Sequence, residues 1–254
     1  MKSFSVRLGN LLYNKAFPLY KPLYFAYKFR KDKQEISLLR QKVKPGTTIL
    51  DIGANIGFYT TLFSRLTGPG GRVVSIEPDI TNFSYLAMQA GSLDNVELVH
   101  GAAGPVTGTT NIYLSDMLNV DHRTYEPEAY TSTQQVKMYR PDDLIGQGQP
   151  VDFVKMDIQG FEVQALHGMQ QILQDNDDIH LLSEYWPYGL KMAGNSGSEL
   201  VEFLTKLGFH IRILIKDRWI PFNSTEGSIS DSTPQNLYYN IYASRNAQAD
   251  ITHS

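Results

Sequence analysis

The feature that most constrains this chain is a short loop, Asp51-Ile52-Gly53-Ala54-Asn55-Ile56-Gly57, set between a strand-like run and a helix-like one. Residues 48–52 form the brief apolar run before it, and Phe58, Leu62, Phe63 and Leu66 recur at helical spacing after it. Glycines at such a turn let the backbone reverse sharply and let a ligand approach without a Cβ in the way. The helix that follows offers unpaired N–H groups and the positive end of its dipole to an anionic group. A chain with this loop is directed toward an α/β arrangement with a ligand at the carboxyl end of its first strand.

The rest of the sequence keeps the alternation. Gly68-Pro69-Gly70-Gly71 marks a turn, and residues 72–76 are a β-branched strand ending at Glu77-Pro78. Proline there stops the strand and suits the start of a helix over 80–90. Residues 96–99 predict a third strand leading into Gly101-Ala102-Ala103-Gly104, and 109–114 a side strand. The polar, Tyr-rich stretch 115–135 reads as a long loop. A fourth strand over 151–156 precedes one helix over 161–173, and a fifth strand over 179–183 precedes a helix over 198–207. Two last strands, 209–215 and 237–243, are joined by a Ser/Thr/Pro-rich loop. Strands alternating with helices imply right-handed βαβ units, hence a mostly parallel sheet with helices on both faces. The 254 residues divide into a helical extension over 1–45, a main domain over 46–245 and a tail over 246–254.

Composition narrows the function. There are no cysteines, which excludes a disulfide framework and any thiolate nucleophile or metal ligand. No run reaches the roughly 18 apolar residues of a membrane span, and the basic start of the chain lacks a signal peptide's apolar core and cleavage site. Cytoplasmic residence is the expectation. The net charge of −3 is unevenly placed. Residues 1–34 hold eight Lys/Arg and one acid, leaving fifteen basic against twenty-five acidic residues in the remainder. That acidic body argues against a nucleic-acid substrate.

Glu77 lies twenty residues past Gly57, at the tip of the second strand, where a carboxylate can accept hydrogen bonds from both hydroxyls of a ribose. A dinucleotide fingerprint starting at Gly53 would need glycines where Asn55 and Phe58 stand, and no Lys-Ser/Thr follows Gly57 as a P-loop would require. What remains, an acid two positions before the first glycine, resembles the first motif of methyltransferases that use S-adenosylmethionine. That cofactor has no phosphates; its methionine end would meet the loop and its ribose Glu77.

The stretch 151–162 (Val-Asp-Phe-Val-Lys-Met-Asp-Ile-Gln-Gly-Phe-Glu) sharpens the resemblance. Phe153, Lys155 and Asp157 share one strand face, and two charges in a central strand are costly unless they pair or reach the sheet edge. Together with the glycine loop, Glu77-Pro78, residues 99–104 and Asp142-Asp143-Leu144, this stretch resembles the FkbM family of S-adenosylmethionine-dependent O-methyltransferases over residues 46–215. The resemblance implies a Rossmann-like class I methyltransferase fold and a hydroxyl acceptor on a saccharide or secondary metabolite. Its implied cofactor contacts are Asp51, Gly53, Ala54, Asn55, Gly57, Phe58, Glu77, Pro78, Gly101, Ala102, Ala103 and Asp157. One position departs: the family usually has Glu where this chain has Gln159.

Direct displacement at a sulfonium needs an acceptor hydroxyl whose proton is taken up. Asp157 is the first candidate base, with Lys155 holding or tuning it, and Glu184 at the end of the fifth strand is the second. The two acids could bracket Mg²⁺, but two carboxylates do not define a metal site and none is assigned. His122, in the polar loop, is a candidate base near neutral pH or simply a solvated side chain; His167 and His180 read as packing residues. Tyr125, Tyr130, Tyr185, Trp186 and Tyr188 are candidate stacking surfaces for the acceptor, or else loop packing.

The N-terminal aromatics Phe4, Tyr13, Phe17, Tyr20, Tyr24, Phe25, Tyr27 and Phe29 are interleaved with the basic residues, and Pro18 and Pro22 are expected to interrupt any single long helix. This segment reads as a cap over the acceptor site, a contact within a homo-oligomer, docking on a membrane or carrier domain, or short helices packed on the sheet. Two other functions stay open: methylation at nitrogen, against which the fourth strand lacks the Asp/Asn-Pro-Pro-aromatic motif, and a non-catalytic module that binds the cofactor without turnover.

Overall fold

The structure, a computed structural model, describes residues 4–115, 122–127, 130–223, 229 and 233–246. All but the first residue of the tail expected over 246–254, and part of the polar loop, therefore lie outside the described residues. Three helices open the chain: α1 (Phe4–Lys15), α2 (Phe17–Lys31) and α3 (Lys33–Lys42). The break between α1 and α2 falls at Ala16, and Pro18 sits in the first turn of α2, where no N–H is required. Pro22 was expected to interrupt the helix but lies inside α2. The bond it forgoes is to the carbonyl of Pro18, and both prolines are exposed, so water can serve the orphaned oxygen.

The main body continues with β1 (Thr48–Ile52), α4 (Phe58–Thr67), β2 (Arg72–Glu77), α5 (Ile80–Ala90), β3 (Val96–His100), β4 (Ala102–Ala103), β5 (Gly108–Leu114), β6 (Ser132–Tyr139) and α6 (Pro141–Ile145). It ends with β7 (Phe153–Met156), α7 (Glu162–His167), α8 (Gln170–Asp175), β8 (His180–Tyr185), α9 (Pro187–Met192), α10 (Gly197–Lys206), β9 (His210–Ile215), β10 (Arg218–Pro221) and β11 (Tyr239–Ser244). The large sheet has the order β10-β9-β11-β8-β7-β1-β2-β3. Its strands β3, β2, β1, β7 and β8 are parallel, while β11 inserts antiparallel between β8 and β9. The chain leaves β1 toward β2 and β3, then returns to lay β7 on the other side of β1. That reversal opens a crevice beyond the carboxyl ends of β1 and β7.

Alternation along the strands divides the core. Leu50, Ile52, Val74, Ile76, Val154 and Met156 pack with Leu166, Leu173 and Leu204 on one face. Ile49, Val73 and Phe153 pack with Leu38, Leu39 and Phe63 on the other. Asp51 and Lys155 share this second face and stand opposite each other in register.

Three elements depart from the expected layout. The end of the stretch 115–135, read as a long loop, and the four residues after it form β6 (Ser132–Tyr139), which pairs with β4 and β5 in a separate sheet. The alternation was masked because that sheet buries little: Ala102, Ile112 and Val136 make its core. The single helix expected over 161–173 is split into α7 and α8, because Gly168 passes close to the backbone of Gly104. Strand β10 joins β9 through Lys216 and Asp217 at φ 47° and 64°, a turn without a glycine to announce it.

Asp142, half of an acidic pair in α6, proves to be a cap supplied from a distance. Its carboxylate accepts the N–H of Gln171 (3.2 Å) and of Ile172 (3.0 Å) at the start of α8. Asp142→Ala removes both acceptors from a buried helix end and is expected to cost about 2 kcal/mol, measured as the shift of the urea unfolding midpoint.

Candidate active site

A cavity of about 990 Å³ fills the crevice at the β1–β7 reversal. Its walls come from the glycine loop, the tips of β2, β7 and β8, the small sheet, and the inner side of α2. The volume is at the upper end of small-molecule sites, room for a cofactor and an acceptor together.

The glycine loop is held from below. The N–H groups of Gly53 and Ala54 both donate to the carbonyl of Ile76 (3.0 Å each), folding the loop over β2. Gly53 has φ +78°, and a Cβ there would fall 2.1 Å from the carbonyl oxygen of Asp157. Asn55, also left-handed at φ 52°, directs its N–H to Oε2 of Glu77 (2.8 Å). Oε1 of Glu77 accepts the N–H of Asp79 (3.0 Å). Oε1 also takes a long bond from Asn82 Nδ2 (3.5 Å), so Oε2 is the oxygen with a lone pair left for a further donor. Burial pushes the Glu77 carboxyl up to about 7. Asn82, on the first turn of α5, also lines the cavity and fixes the N-terminal helices through a hydrogen bond from Tyr13 Oη (2.7 Å).

Ala54, Asn55, Phe58, Glu77, Pro78, Gly101, Ala102, Ala103 and Asp157 all face the cavity with Gly53. Two expected contacts need correction. Asp51 is 0% exposed and is not a wall residue. Its carboxylate accepts from Thr60 Oγ1 (2.7 Å) and lies 3.8 Å from Lys155 Nζ, so it acts beneath the loop. Gly57 faces away from the cavity, caps α4 at φ 90° and leaves room for Leu86, a packing role.

Lys155 Nζ is the hub. It donates to the carbonyl of Gly53 (3.2 Å), lies 4.0 Å from Asp157 Oδ2, and sits 5.1 Å from the centre of the Tyr59 ring. Asp157 emerges into the cavity with its side chain 38% exposed. Burial raises its carboxyl, but Lys155, Lys28 and Lys31 and a hydrogen bond from Gln159 outweigh that and hold it below the usual range. Gln159 bridges two acids: its Nε2 donates to Asp157 Oδ1 (2.9 Å) and to Glu184 Oε2 (3.1 Å). Glu184 is 8% exposed, and burial beside Asp157 and Glu162 drives its carboxyl well above the ordinary value. The site therefore joins, through one amide, an acid held below the usual range and an acid pushed well above it. Among the described residues, no group of three or more His, Asp or Glu side chains is placed to hold a metal ion.

His122 and Trp186 line the cavity, with Arg123 packed 5.0 Å from the Trp186 ring centre. Tyr185 does not offer a stacking face: it is 1% exposed and meets Phe222 edge-on in the core. Tyr125, Tyr130 and Tyr188 are likewise absent from the cavity wall. His180 accepts or donates a 2.7 Å bond with Tyr242 Oη, and His167 packs on Phe203, both away from the site. Sequence reasoning missed Tyr59, Asn82, Arg123, Asp32 and Glu35. Only Tyr59, next to the glycine loop, carried a positional signal.

Fold and cavity define a class I methyltransferase: a Rossmann-like sheet whose first turn faces an acid at the tip of the neighbouring strand. The Methyltransferase FkbM domain matches residues 51–211, and the chain belongs to that family. Its methyl donor is S-adenosylmethionine. A protein-L-isoaspartate O-methyltransferase of Triticum aestivum is 32% identical over 83 residues, covering 32% of this chain and 33% of that protein. A probable cobalt-precorrin-6B C(15)-methyltransferase (decarboxylating) of Saccharolobus solfataricus is 29% identical over 85 residues, covering 32% of this chain and 43% of the other. The chain thus matches less than half the length of these curated relatives. Among solved structures, a "putative rRNA-methylase" from Clostridium thermocellum has a TM-score of 0.50 at 12% identity, covering 84% of this chain and 93% of that one, a likeness of fold alone. Methyltransferase FkbM from Methylobacillus flagellatus KT has a TM-score of 0.47 at 17% identity, covering 78% and 44%.

Two outcomes test the electrostatics. Glu162 is fully buried; its Oε1 accepts the N–H groups of Ile158 (3.1 Å) and Gly160 (3.3 Å), and burial raises its carboxyl to about 7. A raised carboxyl pKa gives stability that is complete below the unfolded value and lost as pH climbs through 7. The melting temperature is expected to fall between about pH 5 and 8, and Glu162→Gln to flatten that fall, read by calorimetry. Gln159→Glu replaces the bridging amide by a third acid. That variant is expected to melt about 5 °C lower in chelator at pH 8 and to recover with Mg²⁺, while the parent protein responds to neither.

Proposed function

We propose that this protein transfers a methyl group to a hydroxyl of a saccharide or secondary metabolite. The observation that carries this reading is the Asp157 carboxylate, kept anionic by Lys155 and exposed in the cavity beside the glycine loop. Bound S-adenosylmethionine supplies an electrophilic methyl group. Glu77 and the Asn55 backbone would orient its ribose, and the loop its methionine end. Asp157 takes the proton of the acceptor hydroxyl as the oxygen attacks. Lys155 positions Asp157 by holding its charge against the loop carbonyl. Glu184, its carboxyl pushed well above the ordinary range and tethered through Gln159, disfavours a second negative charge next to the nucleophile.

The wheat relative is named for O-methylation of isoaspartyl protein and the archaeal one for carbon methylation. A carboxylate acceptor fits the site less well, because its charge would stand beside the Asp157 carboxylate and it carries no proton for Asp157 to take up. His122 is read as a contact at the wall and not as the base, since its Nδ1 accepts the N–H of Ser115 (3.3 Å). With this reading goes the division into a helical extension (1–45) and a methyltransferase domain (46–245).

The deciding experiment incubates the protein with cofactor and a panel of hydroxylated saccharides and aromatic metabolites, and measures S-adenosylhomocysteine. Cofactor binding with no product on any acceptor would favour a binding module, the reading that Gln159 keeps open. On a productive acceptor, Asp157→Asn is expected to lower kcat by about 10²- to 10⁴-fold with cofactor affinity little changed.

A further inference from the structure

The helix α2 is apolar on both sides. Inward, it buries Phe17 and Tyr20 and packs Tyr24 and Phe25 against Phe58 and its neighbours. Outward, Leu19 is 63% exposed, Leu23 62% and Tyr27 56%, spaced four residues apart along one stripe. Pro18, Pro22 and Ala26 lie exposed beside them, and Leu8 and Leu11 of α1, 43% and 57% exposed, add to the exposed apolar surface. A helix with two apolar faces has two partners, and among the described residues only the inner one is supplied. Contiguous exposed apolar surface of this kind marks a docking face.

Charge says what docks there. From Phe4 to Lys31 the chain contains no acidic residue. Lys15 at the end of α1 and Arg30 near the end of α2 are exposed, and neither forms an ion pair among the described residues. The rest of the molecule is acidic, so a negative surface attracts this face and repels the others, which orients the protein. A second copy docked face to face would set basic stripe against basic stripe. Neither helix is long and apolar enough to cross a membrane.

We propose that the outer face of α1 and α2 docks on an anionic lipid surface, its leucines in the headgroup boundary and its Lys and Arg among the lipid charges. Leu23 and Tyr27 also line the cavity. Docking therefore brings the rim of the methyl-transfer cavity to the level of the headgroups.

The test is co-sedimentation of the full chain with vesicles of phosphatidylcholine alone and of phosphatidylcholine with phosphatidylglycerol. Binding is expected only to the anionic vesicles and weakens as salt is raised. Leu11→Ser with Leu19→Ser is expected to lower partitioning by more than about tenfold. Lys15→Glu with Arg30→Glu lowers it about fivefold or more per residue. None of these positions lines the cavity, so cofactor affinity and the melting curve stay at the parent values and report that the variants are folded. No binding to anionic vesicles, or undiminished binding by both double variants, overturns the proposal. A dimer in light scattering that Leu11→Ser with Leu19→Ser dissociates would assign the face to a second copy. Capture of an acidic carrier protein by a face that ignores vesicles would assign it to a protein, and either result also overturns the lipid assignment.

Discussion

The ammonium of Lys155 is the contact on which the cavity's geometry depends. It lies in a central strand, 5% exposed, and reaches Asp51, the Gly53 carbonyl and Asp157 at once. A charge in that position would cost several kcal/mol if left alone. Here the cost is offset by two carboxylates, one carbonyl dipole and the face of Tyr59. The same arrangement ties the tips of β1 and β7 together across the point where the strand order reverses. It thereby fixes the distance between the glycine loop and the acid on the neighbouring strand. The polar layer behind it, Ser75 to Thr60 to Asp51, carries that order back into the sheet.

Much of this was legible in the sequence, for a physical reason in each case. The glycine loop, Glu77 and Asp157 announced themselves because backbone turns and sheet-edge charges leave few alternatives. The parallel strands were readable because strands covered on both faces are nearly continuous apolar runs. The small sheet was not, since β6 is solvated on one side and shares a core of only a few residues with its neighbours. The split between α7 and α8 was invisible because it arises from a close backbone approach between Gly168 and Gly104, residues far apart in the chain. Asp51 was placed in direct contact with the cofactor because spacing alone does not tell a wall residue from one a layer below. Asn82 and Arg123 had no local signature at all; tertiary folding alone brings them to the cavity.

Gln159 is the side chain that sets the relation between the two acids. Two acids that close cannot both ionise without a counter-charge or a donor between them. The amide supplies an N–H bond to each acid but no charge, and burial beside Asp157 favours the protonated form of Glu184. Gln159 is held in a left-handed conformation at φ 57°, beside Gly160 at φ 101°. The turn that carries it is stitched by the buried Glu162, so the amide is placed by backbone and not by side-chain rotation alone.

The wall formed by α2 lies outside the residues that define the family, as do Gln235, Asn236, Tyr238 and Asn240, which meet the leading helices through Lys31 and Glu35. The methyl-donor end of the cavity and its outer rim are thus written in separate stretches of the gene. Substitutions at rim positions such as Leu23 and Tyr27 alter the outer wall without touching Lys155 or Asp157, whereas Lys28 and Lys31 of the same helix also act on the Asp157 carboxyl.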